Sequence, residues 1–249
     1  MVIVKSPKEI EKMRVANRIV AEILGRLREE AKPGVSTLEL DALSEKLCRQ
    51  NKAVPAFKGY RGYPFCLCAS VNEQVVHGFP ASRPLCEGDI LSMDYGVSYK
   101  GFFGDSAITI AIGEVSEEAR RLIKSTEQAL LVGISLVEEG RRLSDISHAI
   151  QKSAEGDGFS VVRKFVGHGI GRSLHEDPQI PNYGTPGQGP VLRAGMTLAI
   201  EPMVNAGGHE VDVLSDGWTA VTRDGSLSAH FEHTVAVTEN GPLVLSLID

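Results

Sequence analysis

The sequence predicts an α+β chain in which pairs of helices alternate with groups of strands. Apolar stripes at helical spacing, each opened by a capping residue, occur in two pairs. The segments between and after those pairs change to strand-like runs punctuated by Gly and Pro. No low-complexity linker or heptad divides the 249 residues. One domain over residues 1–249 is therefore expected, in an order that two similar halves would produce.

The first helix opens at Ser6-Pro7-Lys8-Glu9, a capping box with proline at the first helical position. Ile10, Met13, Val20, Ile23, Leu24 and Leu27 then share one stripe until Pro33-Gly34 stops it. Ser36-x-x-Glu39 opens a second helix ahead of Leu40, Leu43 and Leu47. Residues 116–139 and 143–155 read as two more. Strands are expected over residues 89–98, 102–112, 160–166, 197–202 and 230–237.

The chain is 42% hydrophobic and 23% charged, an ordinary globular balance. Its net charge of -6 offers nothing to nucleic acid or to an anionic membrane. Charge arrives at Lys5, before a signal-peptide apolar region could form, and no run reaches the length of a membrane span. A cytoplasmic location follows as the expectation. Cys48, Cys66, Cys68 and Cys86 lack the paired spacing of a zinc site, so reduced thiols are expected.

The chemistry is carried by acids set among apolar strand residues, where an unpaired charge is costly. Asp94 follows Ile90-Leu91-Ser92-Met93, and Asp105 lies in Phe102-Phe103-Gly104-Asp105-Ser106-Ala107. If Lys100-Gly101 is a two-residue hairpin turn, Tyr99 pairs with Phe102 and Asp105 with Gly96, so both carboxylates share a face. Diagonal neighbours of this kind stand about 7–8 Å apart, a gap that a metal ion can bridge. Glu201 in Leu198-Ala199-Ile200-Glu201-Pro202 and Glu232 in His230-Phe231-Glu232-His233 repeat the pattern. A salt bridge or a strand edge would explain any one of them, but four together favour ligation. His168 lies between Gly167 and Gly169, with His175 seven residues on, where glycine permits close backbone approach. The glycines follow no phosphate-binding pattern.

With these residues in hand, the chain resembles the methionine aminopeptidases, type I, in a short bacterial-like form. The run from Phe165 to Tyr183 is similar to that family's signature, and Asp94, Asp105, His168, Glu201 and Glu232 match its five metal ligands in type and order. Further likeness lies at Gly59-Tyr60-Arg61-Gly62-Tyr63-Pro64, at Asn72 to Gly78 and at Glu239-Asn240-Gly241-Pro242. The resemblance implies the pita-bread fold, with two pseudo-symmetric halves around a curved antiparallel sheet. It implies two divalent ions, of Co, Mn, Fe or Zn, with Asp94 and Glu232 bridging, Asp105 on one ion, and His168 and Glu201 on the other. These would share a hydroxide that attacks the peptide bond, with Glu201 as proton carrier and His77 and His175 contacting the scissile amide. Tyr60, Tyr63, Cys68, Leu174 and Trp218 would line the methionine pocket. Phe57, Arg61 and Leu174 depart from the residues common at their positions, which bears on the width and rim of that pocket.

The implied partners are the N-termini of nascent polypeptides, met by a monomer in transient contact with ribosomes, although no ribosome-binding feature stands out. Three other readings compete: a proline-directed peptidase of the same fold, a catalytically inactive binding module, and a metal-stabilised structural domain. The first usually carries an extra N-terminal domain, the second tends to lose ligands and gain basic tails, and the third has no need of His77 and His175.

Overall fold

A computed structural model of the chain describes residues 2–247. Helix α1 (Pro7–Glu30) begins where expected: the Glu9 carboxylate accepts the Ser6 main-chain N–H at 2.8 Å and the Ser6 hydroxyl at 2.7 Å. Helix α2 (Thr37–Gln50) repeats the device with Ser36 and Glu39. Helices α3 (Glu117–Ile134) and α4 (Leu143–Gly156) form the second pair.

The third helix is shorter than the 116–139 its sequence suggests. The Ser135 hydroxyl turns back onto the Val132 carbonyl, and three-residue turns follow, with Leu136 N–H donating to Gly133 and Val137 N–H to Ile134. Such local bonds compete with the helical ladder.

The central sheet is nine-stranded and antiparallel throughout. Its strands are β1 (Val54–Pro55), β2 (Cys68–Val71), β3 (Ile90–Tyr99), β4 (Phe102–Ala111), β5 (Gly167–Gly169), β6 (Glu176–Ile180), β7 (Thr197–Ile200), β8 (Glu232–Thr238) and β9 (Gly241–Val244). The path runs β1-β3-β4-β8-β7-β5-β6, with β2 on β3 and β9 on β8.

The expected hairpin is present with the expected register, Tyr99 opposite Phe102 and Gly96 opposite Asp105. Lys100 (φ 49°) and Gly101 (φ 82°) both take left-handed conformations, the backbone of a type I′ turn. Lysine is not a favoured residue there, so ten consecutive cross-strand pairs hold it in place.

Three expected strands are broken up. Strand 160–166 is ordered only at Ser160–Val161. The run 197–202 stops at Ile200 and the run 230–237 divides at Phe231, because Pro202 and Phe231 sit at a crossover between sheets. Met203–Asn205 pairs with Ser228–His230 in a separate three-stranded sheet, while β7 and β8 stay in the large one. Proline has no N–H for a ladder, which fixes where the strand must leave. Strands β2, β5, β6 and β9 were not expected; they are three to five residues long, too short to display a period.

Two large apolar clusters flank the sheet. One joins α1 and α2 to β2 and β3, and the other joins α3 and α4 to β7 and β8. A third, with Tyr63, Cys68, Leu174 and Phe57, lies under the site described next.

Candidate metal centre and substrate pocket

Register alone brings the five expected ligands to one face. In an antiparallel sheet, directly opposed residues and residues two apart on one strand share a face. Asp94 is opposite Ala107, and Ala107 is opposite Glu232. Asp105 lies two residues before Ala107. His233 pairs with Ile200, so one further step of the same register sets Glu232 against Glu201. His168 pairs with Ala199, two residues before Glu201. Ala107, between Asp94 and Glu232, contributes only a methyl and so leaves room above the sheet.

The resulting cluster is tight. Ligand atoms of Asp105, His168 and Glu232 lie within 4.8 Å of one another. His168 Nε2 is 3.5 Å from Glu201 Oε1 and 4.0 Å from Asp105 Oδ2. Among the described residues no lysine or arginine pairs with these acids, and the basic groups beside them are the histidines His168 and His230. Buried Asp94 Oδ1, Asp105 Oδ1 and Glu232 Oε1 have no hydrogen-bond partner among the described residues.

Burial pushes the Asp94 carboxyl up to about 7. Asp105, Glu201 and Glu232 are pushed well above the carboxylate range, by burial first and by the other acids second. Four acids desolvated together without a counter-charge are what a divalent cation resolves. The donor set of carboxylate oxygens with one imidazole suits Mn, Fe, Co or Zn.

His168 is already in the form a metal takes. Its Nδ1 is 2.9 Å from the Gly169 carbonyl, which can only accept, so Nδ1 carries the proton and Nε2 turns its lone pair to the acids. Burial, and then His175, pushes its pKa down to about 3.

A cavity of about 140 Å³ opens onto this cluster. Every residue singled out from the sequence for ligation, catalysis or pocket lining borders it, together with Phe57 and Arg61. Tyr63 and Trp218 meet edge to face at 5.1 Å, and Tyr60 stacks on His175 at 5.2 Å. The Tyr63 hydroxyl lies within hydrogen-bond reach of the Leu67 and Gly78 carbonyls, so its ring, not its polar end, serves the cavity.

His77 has the left-handed φ of 59°, uncommon for a residue with a side chain, and its ring packs on Phe165 and Trp218. Its pKa is pushed down to about 4 by burial and then by His175, and that of His175 to about 4 by burial and then by Arg61. Both rings are neutral at pH 7.

Two neighbours were not foreseen. His230, 1% exposed, brings Nε2 to 3.7 Å from Glu201 Oε2. The Asn182 side chain donates to the Glu201 carbonyl at 2.9 Å. A histidine two residues before Glu232 was a signal for the first. Nothing in the sequence marked the second.

Similarity to known proteins agrees with this geometry. The chain is 54% identical over 248 residues to a methionine aminopeptidase of Clostridium perfringens, covering all of both chains. It superposes on the crystal structure of methionine aminopeptidase from Thermotoga maritima with a TM-score of 0.98 and 50% identity, again over the whole of both. A prolidase from Pyrococcus furiosus, 24% identical, shares the fold with a TM-score of 0.81 over 99% of this chain and 66% of its own. The architecture is thus the expected pita-bread fold. Residues 11–239 match metallopeptidase family M24, and with the relatives above this shows that the chain belongs to that family.

Proposed function

We propose that this chain is a metal-dependent aminopeptidase, working as one catalytic domain over residues 1–249, that removes the initiator methionine when the second residue is small. The observation that supports it most is the meeting, in one cavity, of an apolar pocket wall with four uncompensated acids and a neutral, correctly oriented His168.

In this reading Asp94, Asp105, His168, Glu201 and Glu232 would together hold two divalent ions. Bound there, such ions would supply Lewis acidity toward the scissile carbonyl and would lower the pKa of a water. The rest is done by side chains. Tyr60, Tyr63, Cys68, Leu174 and Trp218 enclose the methionine side chain, for which packing against a polarisable thioether matters more than hydrogen bonding. His77 and His175, each neutral with one N–H and one lone pair, hydrogen-bond the scissile amide and steady charge that develops there. Glu201, whose carboxyl burial and then Asp94 push above the usual carboxylate range, is suited to take up a proton and pass it to the departing amine nitrogen.

The enzyme acts as a cytoplasmic monomer on the N-termini of nascent chains, with at most transient ribosome contact. Nucleic acid and membrane are not partners in this reading. Among the described residues no helix is long and apolar enough to cross a membrane.

The test is methionine release from Met-Ala-Ser and Met-Lys-Ser peptides beside an Ala-Pro peptide. Cutting of Met-Ala-Ser alone is expected. Cutting of the Ala-Pro peptide alone would make the enzyme proline-directed, and no cutting with any metal would make it a binding relative.

A further inference from the structure

In the sequence, Lys5 is merely a charge near the N-terminus; in the fold it is 4% exposed. Its Nζ lies 2.5 Å from Glu176 Oε2, with the two side chains 2% and 4% exposed, and it also donates to the Ile3 carbonyl at 3.1 Å. The other oxygen of Glu176, Oε1, accepts the main-chain N–H groups of Arg172 at 2.7 Å and Ser173 at 3.2 Å. One carboxylate thus joins the N-terminal segment to both ends of the loop 171–176. That loop delivers Leu174 and His175 to the cavity.

The surroundings reinforce the clamp. A Cβ on Gly171 would stand 2.3 Å from Lys5 Cε, so only glycine lets the lysine pass beneath the loop. The Arg172 guanidinium reaches Glu9, the residue that caps α1. Lys5 N–H donates to the Gly195 carbonyl at 2.7 Å, just ahead of β7, and Gly171 accepts from Phe103 N–H at 2.8 Å, just ahead of Asp105. A buried ion pair adds little net stability over an apolar pair of the same size, because desolvation offsets the attraction. What it supplies is direction: a lysine and a carboxylate with every acceptor used allow one arrangement of the loop.

We propose that the Lys5–Glu176 pair is a positioning device that fixes His175 against the scissile amide and Leu174 against the methionine side chain. This rests on the peptidase reading of the cavity. Among the described residues no hydrogen bond or ion pair joins either side chain to the five ligands, so the device acts on the substrate side of the site and not on metal binding.

The experiment uses the full chain loaded with Mn and the peptide Met-Ala-Ser. Lys5→Ala, and the double variant Lys5→Met/Glu176→Gln that leaves no buried charge unpaired, are compared with the parent for kcat, KM, bound metal per chain and melting temperature. A misplacement of about 1 Å costs about a hundred-fold. The expected result is a loss of that order, chiefly in kcat, in both variants, with bound metal unchanged. Propylammonium added to Lys5→Ala should restore part of the rate. Parental kcat in the folded double variant overturns the proposal, as does a loss that follows bound metal and is untouched by propylammonium. A parent protein inactive on Met-Ala-Ser would instead overturn the peptidase reading, so the two failures are distinguishable.

Discussion

In the proposed reading Glu201 answers two demands at once, as ligand and as proton carrier, and the chain flanks it on two sides: Asn182 on its carbonyl and His230 near its carboxylate. Glu201→Ala removes both roles. It should reduce methionine release to background while leaving the circular dichroism spectrum of the folded protein unchanged. His77→Ala should cut kcat by about a hundred-fold or more, the scale of losing one donor at a developing charge, with metal per chain unchanged. Normal turnover in either variant would contradict the assignment. The four proposed acid ligands were legible as residues because acids among Ile, Leu, Val and Phe are conspicuous in any strand, and His168 by the glycines on either side of it. His230 carried only the weak signal of lying two residues before Glu232, since a histidine at a strand end reads equally as a surface group. Lys5 was misleading, because a charge near a chain terminus suggests solvent.

Among the elements, the β3–β4 hairpin does most to build the site. Its register follows from the two-residue turn, which sets Asp94 and Asp105 on one face. The crossover at Glu201-Pro202 and Phe231 was not readable, because leaving one sheet for another depends on which strands are neighbours in space. The same is true of β5 and β6, held by tertiary pairing and not by a period of their own.

Helix α1 packs on the hairpin through Gly104, where a Cβ would lie 2.7 Å from Asn17 N and 2.8 Å from Ala16 C. Beside it, Asp105 N–H donates to Asn17 Oδ1 at 3.3 Å. Gly104→Ala must therefore push the helix from the strand that bears the proposed ligand Asp105. Overpacking of this kind costs about 1–3 kcal/mol, read as a lower melting temperature, and metal affinity should fall with it. An unchanged melting temperature would show that the helix yields without strain.

At the scale of the whole molecule, the fold carries a cluster of charge that it cannot satisfy by itself. A carboxyl whose folded pKa is raised is held protonated; ionising it works against folding, so its penalty grows as pH rises from the unfolded value toward the folded one. For Asp94 that range runs from 3.8 to about 7. The histidines behave oppositely: His77, His168 and His175, pushed down to about 3–4, weaken the fold only as pH drops below 6.5. Above about pH 6.5 only the acids still titrate. Chelator-stripped protein should accordingly lose melting temperature as pH rises from about 6.5 to about 7, and metal-loaded protein should not. Equal slopes for the two forms would mean that the acids are compensated by something other than a cation.

The most direct measurement is the rate of methionine release from Met-Ala-Ser by protein stripped of metal, verified metal-free by mass spectrometry, and then titrated with Mn. The account predicts background release without metal and a rate that rises with each equivalent added until the site is filled. Full activity in the metal-free protein would contradict it.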